Sequence, residues 1–141
     1  MRVLPAIFVL TAAAMPAQAP SYELVGSVSR LMIDIIYPTS DALFYIERSP
    51  PKTDVEWNAI RGQALMLAES GNLLMLPGRA RDQGNWMKDS KELIDAARLA
   101  YQAAAAKDMR GVLDQSERLT QACVTCHRQY RSNYGKAPRI F

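Results

Sequence analysis

Cysteine and histidine are scarce in this sequence, whose 141 residues include two cysteines and a single histidine. A zinc site needs about four ligands, and no carboxylates occur at a spacing that would complete one around these side chains. A glycine-rich loop of the kind that cradles phosphate groups is also missing. These shortages argue against a zinc protein and against a P-loop nucleotide-binding enzyme.

Charge of one sign and long apolar runs are in short supply as well. The 17 basic and 14 acidic residues give a formal charge of +3 at pH 7, and no basic tract is dense enough to predict a nucleic-acid partner. The apolar run over residues 3–14 is interrupted by Pro5 and is too short to span a bilayer as a helix. We therefore expect no membrane span in the mature chain.

Residues 1–19 instead predict a secretory signal peptide. Its parts are a basic residue, an apolar run and a small-residue cleavage sequence: Arg2, residues 3–14 and Ala17-Gln18-Ala19. Proline directly after a cut is unfavourable for signal peptidases, so Pro20 leaves the cleavage position open. A membrane-tethering or disordered apolar tail is the alternative. A signal peptide predicts export to the periplasm, where oxidising conditions prevail.

The scarce residues themselves lie together, in the run Cys123-Val124-Thr125-Cys126-His127. A Cys-x-x-Cys-His run is typical of c-type haem attachment, in which two thiols add to the haem vinyl groups and the histidine binds the iron. On a helix that turns by about 100° per residue, Cys126 lies about 60° to one side of Cys123 and His127 about 40° to the other. All three side chains, and that of Tyr130, would point into one arc and could hold one haem c.

Two other interpretations of this run are a thioredoxin-like redox motif and a structural disulfide. A thioredoxin-like Cys-x-x-Cys needs a βαβ context, and no convincing strand is predicted. A disulfide between Cys123 and Cys126 is possible in an oxidising compartment, in a haem-free helical interaction domain. That disulfide would not need a histidine directly after it.

Apolar residues at helical spacing, together with capping residues and prolines, predict four helices. Their expected spans are residues 22–47, 53 to either 71–72 or 76, 85–107 and 108–133. Thr53-x-x-Glu56 is a capping box, and Pro38 is expected to kink or break the first helix near Tyr37. Four amphipathic helices with mostly short connections predict an all-α fold for residues 20–141, an antiparallel four-helix bundle whose core houses the cofactor.

The extended motif Cys123-x-x-Cys126-His127-x-x-Tyr130-Arg131 resembles that of the class II c-type cytochromes, which include cytochrome c′ and the low-spin cytochrome c-556. The first-helix segment is also similar to this group: Leu31-Met32, then Pro38-x-x-Asp41-x-Leu43-Phe44. In most other c-type cytochromes the attachment motif lies near the N-terminus, so its position here favours class II. The resemblance spans essentially the whole mature chain.

The resemblance implies that His127 is the proximal iron ligand. Low-spin members fill the sixth position with a methionine from the first helix, whereas cytochrome c′ leaves it open behind an apolar side chain. Met32 is accordingly the candidate sixth ligand, with core filling as the alternative role and Met66 as the next candidate. Tyr130 is expected to rest against the haem edge. Arg131 is expected either to be solvated surface, to pair with a propionate, or to guide an acidic redox partner.

The sixth ligand decides the expected function. A thioether opposite an imidazole raises the reduction potential, which suits an electron carrier that meets redox partner proteins. An open sixth position would give a binder of small gases such as nitric oxide or carbon monoxide. Neither function is enzymatic, because the single histidine is committed to iron. The resemblance also makes a homodimer through the first two helices possible.

Overall fold

The computed structural model of the chain describes residues 21–135. The predicted signal peptide, residues 1–19, lies outside the described residues. Secondary structure between residues 21 and 135 is all helical, without strands, and forms four helices that are compatible with a helical bundle. Their segments are, for α1, Val28–Leu31, Met32–Ile36 and Tyr37–Phe44; for α2, Asp54–Leu74; for α3, Asn85–Ala105; and for α4, Met109–Leu113 and Ser116–Tyr130.

Helix α1 is shorter than predicted, since it begins at Val28 rather than near residue 22. Ser27 is its N-cap, in an extended conformation, and its hydroxyl accepts a hydrogen bond from the Arg30 N–H at 3.3 Å. The preceding segment is held by the buried Arg79, whose guanidinium donates to the Gly26 carbonyl at 3.0 Å. A tertiary hydrogen bond therefore competes with helix formation there, which apolar spacing alone does not reveal.

The sequence predicted that Pro38 would kink or break α1. The chain stays helical through Pro38, and the irregularity is a wider turn just before it. Residues Met32–Ile36 form a π-helical turn, in which the Tyr37 N–H donates to the Met32 carbonyl five residues back. Proline lacks an N–H and its ring clashes with the carbonyl four residues earlier. One wider turn relieves both problems, and α-helical geometry resumes over Tyr37–Phe44.

Helix α2 confirms the predicted capping box. The Thr53 hydroxyl accepts from the Glu56 N–H at 3.2 Å, and the Glu56 carboxylate accepts from the Thr53 N–H at 2.8 Å. The helix continues through Gly71 and ends at Leu74, between the two predicted ends. Gly71 acts as a contact point rather than a stop: a Cβ atom there would lie 2.5 Å from Ile94 Cγ1 and 3.1 Å from the Ser90 carbonyl oxygen.

Helix α3 begins at Asn85 as predicted, but its N-cap is Gly84. Capping comes from Asp82, one of whose carboxylate oxygens accepts from the Gly84 N–H at 2.8 Å and from the Trp86 N–H at 3.1 Å. Four alanines of α3 are fully buried in the core, namely Ala96, Ala97, Ala100 and Ala104. Their small side chains allow a neighbouring helix to pack closely.

Helix α4 has a break that the sequence did not predict. Its start is confirmed, because the Asp108 carboxylate accepts from the Gly111 N–H at 3.0 Å. The short first segment packs tightly on α3, since a Cβ at Gly111 would lie 2.9 Å from Ala103 Cβ. The helix is interrupted at residues 114–115. It ends at Tyr130 rather than at the expected residue 133, because the backbone of Arg131 is extended.

Contacts between helix ends show that α2, α3 and α4 run antiparallel in sequence order. The indole N–H of Trp86 at the start of α3 donates to the Leu74 carbonyl at the end of α2, at 2.8 Å. The opposite ends meet where Lys107 pairs with Asp54 at 2.6 Å. Trp86 also packs edge-on against Tyr130 at the end of α4, with ring centroids 4.9 Å apart. Among the described residues, no helix combines the length and apolarity needed to cross a membrane.

Candidate functional site

A cavity of about 40 Å³ lies where α1 and α3 begin and where α2 and α4 end. Each helix contributes to its walls: Met32 and Ile36 from α1, Leu74 from α2, Asp89, Ser90 and Leu93 from α3, and Ala122, Cys123, Cys126 and His127 from α4. The structure therefore brings together four of the six residues that the sequence singled out. They are Cys123, Cys126, His127 and Met32.

The two cysteines lie one turn apart on α4 and form no disulfide. Both thiols are half-buried, and burial raises the pKa of Cys123 and raises that of Cys126 to about 11. At neutral pH they are neutral thiols, without the thiolate character of a reactive disulfide-exchange pair. The disulfide alternative is thus not the arrangement seen.

His127 presents a neutral imidazole to the same cavity. Burial, and to a lesser degree the positive charge of Arg131, lower the pKa of His127. A neutral ring nitrogen is the form that binds a metal. Within residues 21–135, however, no three His, Cys, Asp or Glu side chains are close enough to hold a metal ion directly.

The two methionine candidates are clearly separated by the fold. Met32 lines the cavity and begins the π-helical turn of α1. Met66 is 49 % exposed on α2 and is not among the residues that line the cavity. Only Met32 therefore shares a cavity with His127.

Tyr130 and Arg131 lie beside the site rather than in the cavity wall. The Tyr130 hydroxyl donates to the Asp82 carboxylate, and burial together with this bond raises the pKa of Tyr130 to about 12. The Arg131 side chain is exposed, and its backbone N–H donates to the His127 carbonyl at 3.0 Å, at the end of α4. Tyr130 thus ties the His127 end of α4 to the start of α3.

Two polar cavity residues were missed in the sequence, Asp89 and Ser90. They are 6 % and 2 % exposed, and in the described part of the chain Asp89 Oδ2 and Ser90 Oγ have no hydrogen-bond partner. Burial raises the pKa of Asp89. The signal that could have found them is their position one turn before Leu93, on the apolar stripe of α3 where polar side chains are unexpected.

An open groove of about 490 Å³ between α3 and α4 adjoins the cavity. The polar and charged side chains in its walls are Lys88, Asp89 and Glu92 from α3, and Glu117, Arg118, Gln121 and Thr125 from α4. Asp89 and Ala122 line both the groove and the cavity. These two side chains therefore lie between the open groove and the cavity that the cysteines and the histidine line.

The Tyr130–Asp82 bond should make stability depend on pH in the acid range. The bond from Tyr130, followed by that from the Trp86 N–H, lowers the pKa of Asp82. A carboxyl whose pKa is lowered by folding stabilises the fold above its unfolded pKa of about 3.9, and this stabilisation is lost as the pH falls through the folded value. Tyr130→Phe should melt at a lower temperature than the wild type near neutral pH, and the difference should shrink below about pH 4. A difference that stays constant down to pH 2 would contradict this role.

Two free thiols, a neutral imidazole and a thioether at one cavity can together hold a flat metal-containing group by covalent bonds and axial ligation. Comparison of the chain with protein-family models, with curated proteins and with solved structures found no match. The chemistry of these side chains therefore carries the functional conclusion.

Proposed function

We propose that the protein is a periplasmic, monohaem c-type cytochrome that carries electrons. Cys123 and Cys126 would form the thioether bonds, and His127 would be the proximal ligand of the iron. The observation that supports this most is that both cysteines and the single histidine of the sequence line one cavity together with Met32. The function needs no catalytic residue, and we propose no enzymatic activity.

The residues present fit a haem in their chemistry. The thiols are free to add to vinyl groups, the imidazole is neutral, and the remaining walls from α1 and α2 are apolar, namely Met32, Ile36 and Leu74. The cavity alone is smaller than a haem. A bound haem would become part of the core between the helices, in an antiparallel four-helix bundle. When bound, it would supply an iron that gains and loses one electron.

Met32 would be the sixth ligand. A thioether opposite an imidazole favours the reduced iron and raises the reduction potential. π-Helical turns occur frequently at functional sites, and Met32 is the first residue of such a turn. With both axial positions filled by side chains, small ligands would bind poorly and electron transfer would be the remaining chemistry.

Exposed basic residues at the end of α4 suit the approach of a redox partner. Arg128 and Arg131 flank the last turn of the helix that carries the cysteines, and both are exposed. Complementary charge across such a surface mainly raises the rate of association. An acidic redox partner would therefore be guided to the end of the molecule where the haem lies.

The alternative function is a five-coordinate protein that binds nitric oxide or carbon monoxide. Ile36 and Leu74 line the cavity beside Met32, so an apolar wall would still be present if Met32 did not bind iron. Such a wall admits a small apolar gas and excludes larger polar ligands.

Optical spectra of the purified protein distinguish these functions. We expect a low-spin spectrum in both oxidation states that does not change on addition of carbon monoxide. A high-spin spectrum that shifts with carbon monoxide would establish the gas-binding alternative. A purified, exported protein without any haem absorption would refute both functions.

A further inference from the structure

Asp89 lies at the boundary between the groove and the cavity and has no role in the proposed function. The side chain is 6 % exposed, yet it lines both the small cavity at Cys126 and His127 and the larger open groove between α3 and α4. Ala122 is the other side chain shared by the two spaces, and it is apolar. Asp89 is therefore the titratable side chain that lines both the groove and the cavity.

One oxygen of the Asp89 carboxyl, Oδ2, is buried without a hydrogen-bond partner among the described residues, and the neighbouring Ser90 Oγ is in the same situation. A buried carboxylate without partners is strongly disfavoured relative to the neutral acid. Burial accordingly raises the pKa of Asp89 above its ordinary value. The group is poised to respond to a change of charge nearby.

Charged neighbours of Asp89 come from two directions. On its own side, Lys88 opposes protonation, whereas Asp82 and Glu92 favour it. Across the groove, α4 presents Glu117 and Arg118, and toward the cavity α4 places Cys126 and Tyr130 near enough to feel the Asp89 charge. The cavity walls from α1 and α2 are apolar. The charged side chain that shifts the pKa of His127 is Arg131.

We propose that Asp89 takes up a proton when the site gains an electron and releases it when the electron leaves. This inference rests on the proposed haem site. The bound haem would supply an iron that takes one electron from the redox partner. The proton comes from water through the groove and forms an O–H bond at the Asp89 carboxyl, so that the added negative charge is balanced by one proton. A carboxyl in a poorly screened site feels such a charge more strongly than one in water.

The test is the reduction potential of the haem-loaded protein as a function of pH. Asp89 would have one pKa in the oxidised protein and a higher one in the reduced protein. Between these two pKa values, the equilibrium constant for reduction of the wild type should fall tenfold per pH unit, which is about 59 mV per unit for one electron. The slope should be absent in Asp89→Asn, which keeps the shape but cannot titrate. Asp95→Asn is the matched control, because Asp95 lies on the same helix but pairs with Lys91 at the surface, and it should keep the slope.

A second measurement does not depend on any variant. Reduction of the wild type in unbuffered solution with an indicator dye should consume one proton per electron within that pH window, and the infrared difference spectrum should gain a protonated-carboxyl band. A potential that does not change with pH in the wild type, or a slope that persists in Asp89→Asn, would overturn this inference while haem binding stands. A protein that carries no haem would overturn the proposed function and this inference together.

Discussion

Met32→Ala should convert a low-spin protein that does not bind carbon monoxide into a high-spin protein that does. Met32 is the methionine that shares a cavity with His127, and alanine has no sulfur to reach iron. Loss of the thioether should also lower the reduction potential, because a thioether ligand favours the reduced state. Replacing a core methionine by alanine costs about 2–5 kcal/mol, and Met32 is only partly buried. We therefore expect a loss of stability near the lower end of that range.

Met66→Ala is the matched control for this experiment. It makes the same chemical change on α2, at a side chain that is 49 % exposed and does not line the cavity. Its spectrum, its lack of carbon monoxide binding and its potential should equal those of the wild type. A low-spin spectrum that survives Met32→Ala would contradict the assignment of Met32 and move the sixth ligand elsewhere.

Gly71→Ala should destabilise the protein by about 1–3 kcal/mol, the usual range for overpacking a tight core. The added Cβ would lie 2.5 Å from Ile94 Cγ1 and 3.1 Å from the Ser90 carbonyl oxygen. The first contact is with the middle of a side chain and the second with backbone, so α2 and α3 must move apart. Because Leu74 and Ser90 line the cavity, this crossing also sets the position of the cavity walls. Thermal and urea denaturation followed by circular dichroism measure the change.

Gly62→Ala, on the same helix, should change stability in the opposite direction. A Cβ at Gly62 would meet nothing within 4 Å, so the change should stabilise the protein by about 0.5–1 kcal/mol through helix propensity alone. If the two variants shift stability in the same direction, the close approach of α2 to α3 at Gly71 is not the reason for glycine there.

The parts of the fold that local chemistry controls were predictable. Thr53 and Glu56 satisfy each other's backbone groups within four residues, so the capping box was visible in the sequence, and the angular spacing of Cys123, Cys126 and His127 on one helix follows from helix geometry alone. In contrast, the start of α1 depends on the hydrogen bond from Arg79 to the Gly26 carbonyl, 53 residues away in sequence. The π-helical turn before Pro38 lets the helix continue past the proline, and the spacing of apolar residues in the sequence does not predict it.

The candidate site divides in the same way. The choice of Met32 as the partner of His127 came from the resemblance to the class II c-type cytochromes, whose low-spin members use a methionine of the first helix. The contact of Tyr130 with the haem edge stays a prediction. The structure adds two contacts that the sequence did not reveal, a hydrogen bond from its hydroxyl to Asp82 and packing of its ring on Trp86. Asp89 was overlooked because a single aspartate on a helix is usually solvated. Its burial follows from the way α3 and α4 pack.

The most direct test of the haem assignment is the mass of the exported protein under denaturing conditions. Only a covalently bound haem survives denaturation, so we predict the mass of the polypeptide without its signal segment plus the mass of one haem. The double variant Cys123→Ser and Cys126→Ser should show the polypeptide mass alone. A wild-type protein that, when produced in a host that attaches haem to other Cys-x-x-Cys-His proteins, also shows only the polypeptide mass would contradict the cytochrome assignment.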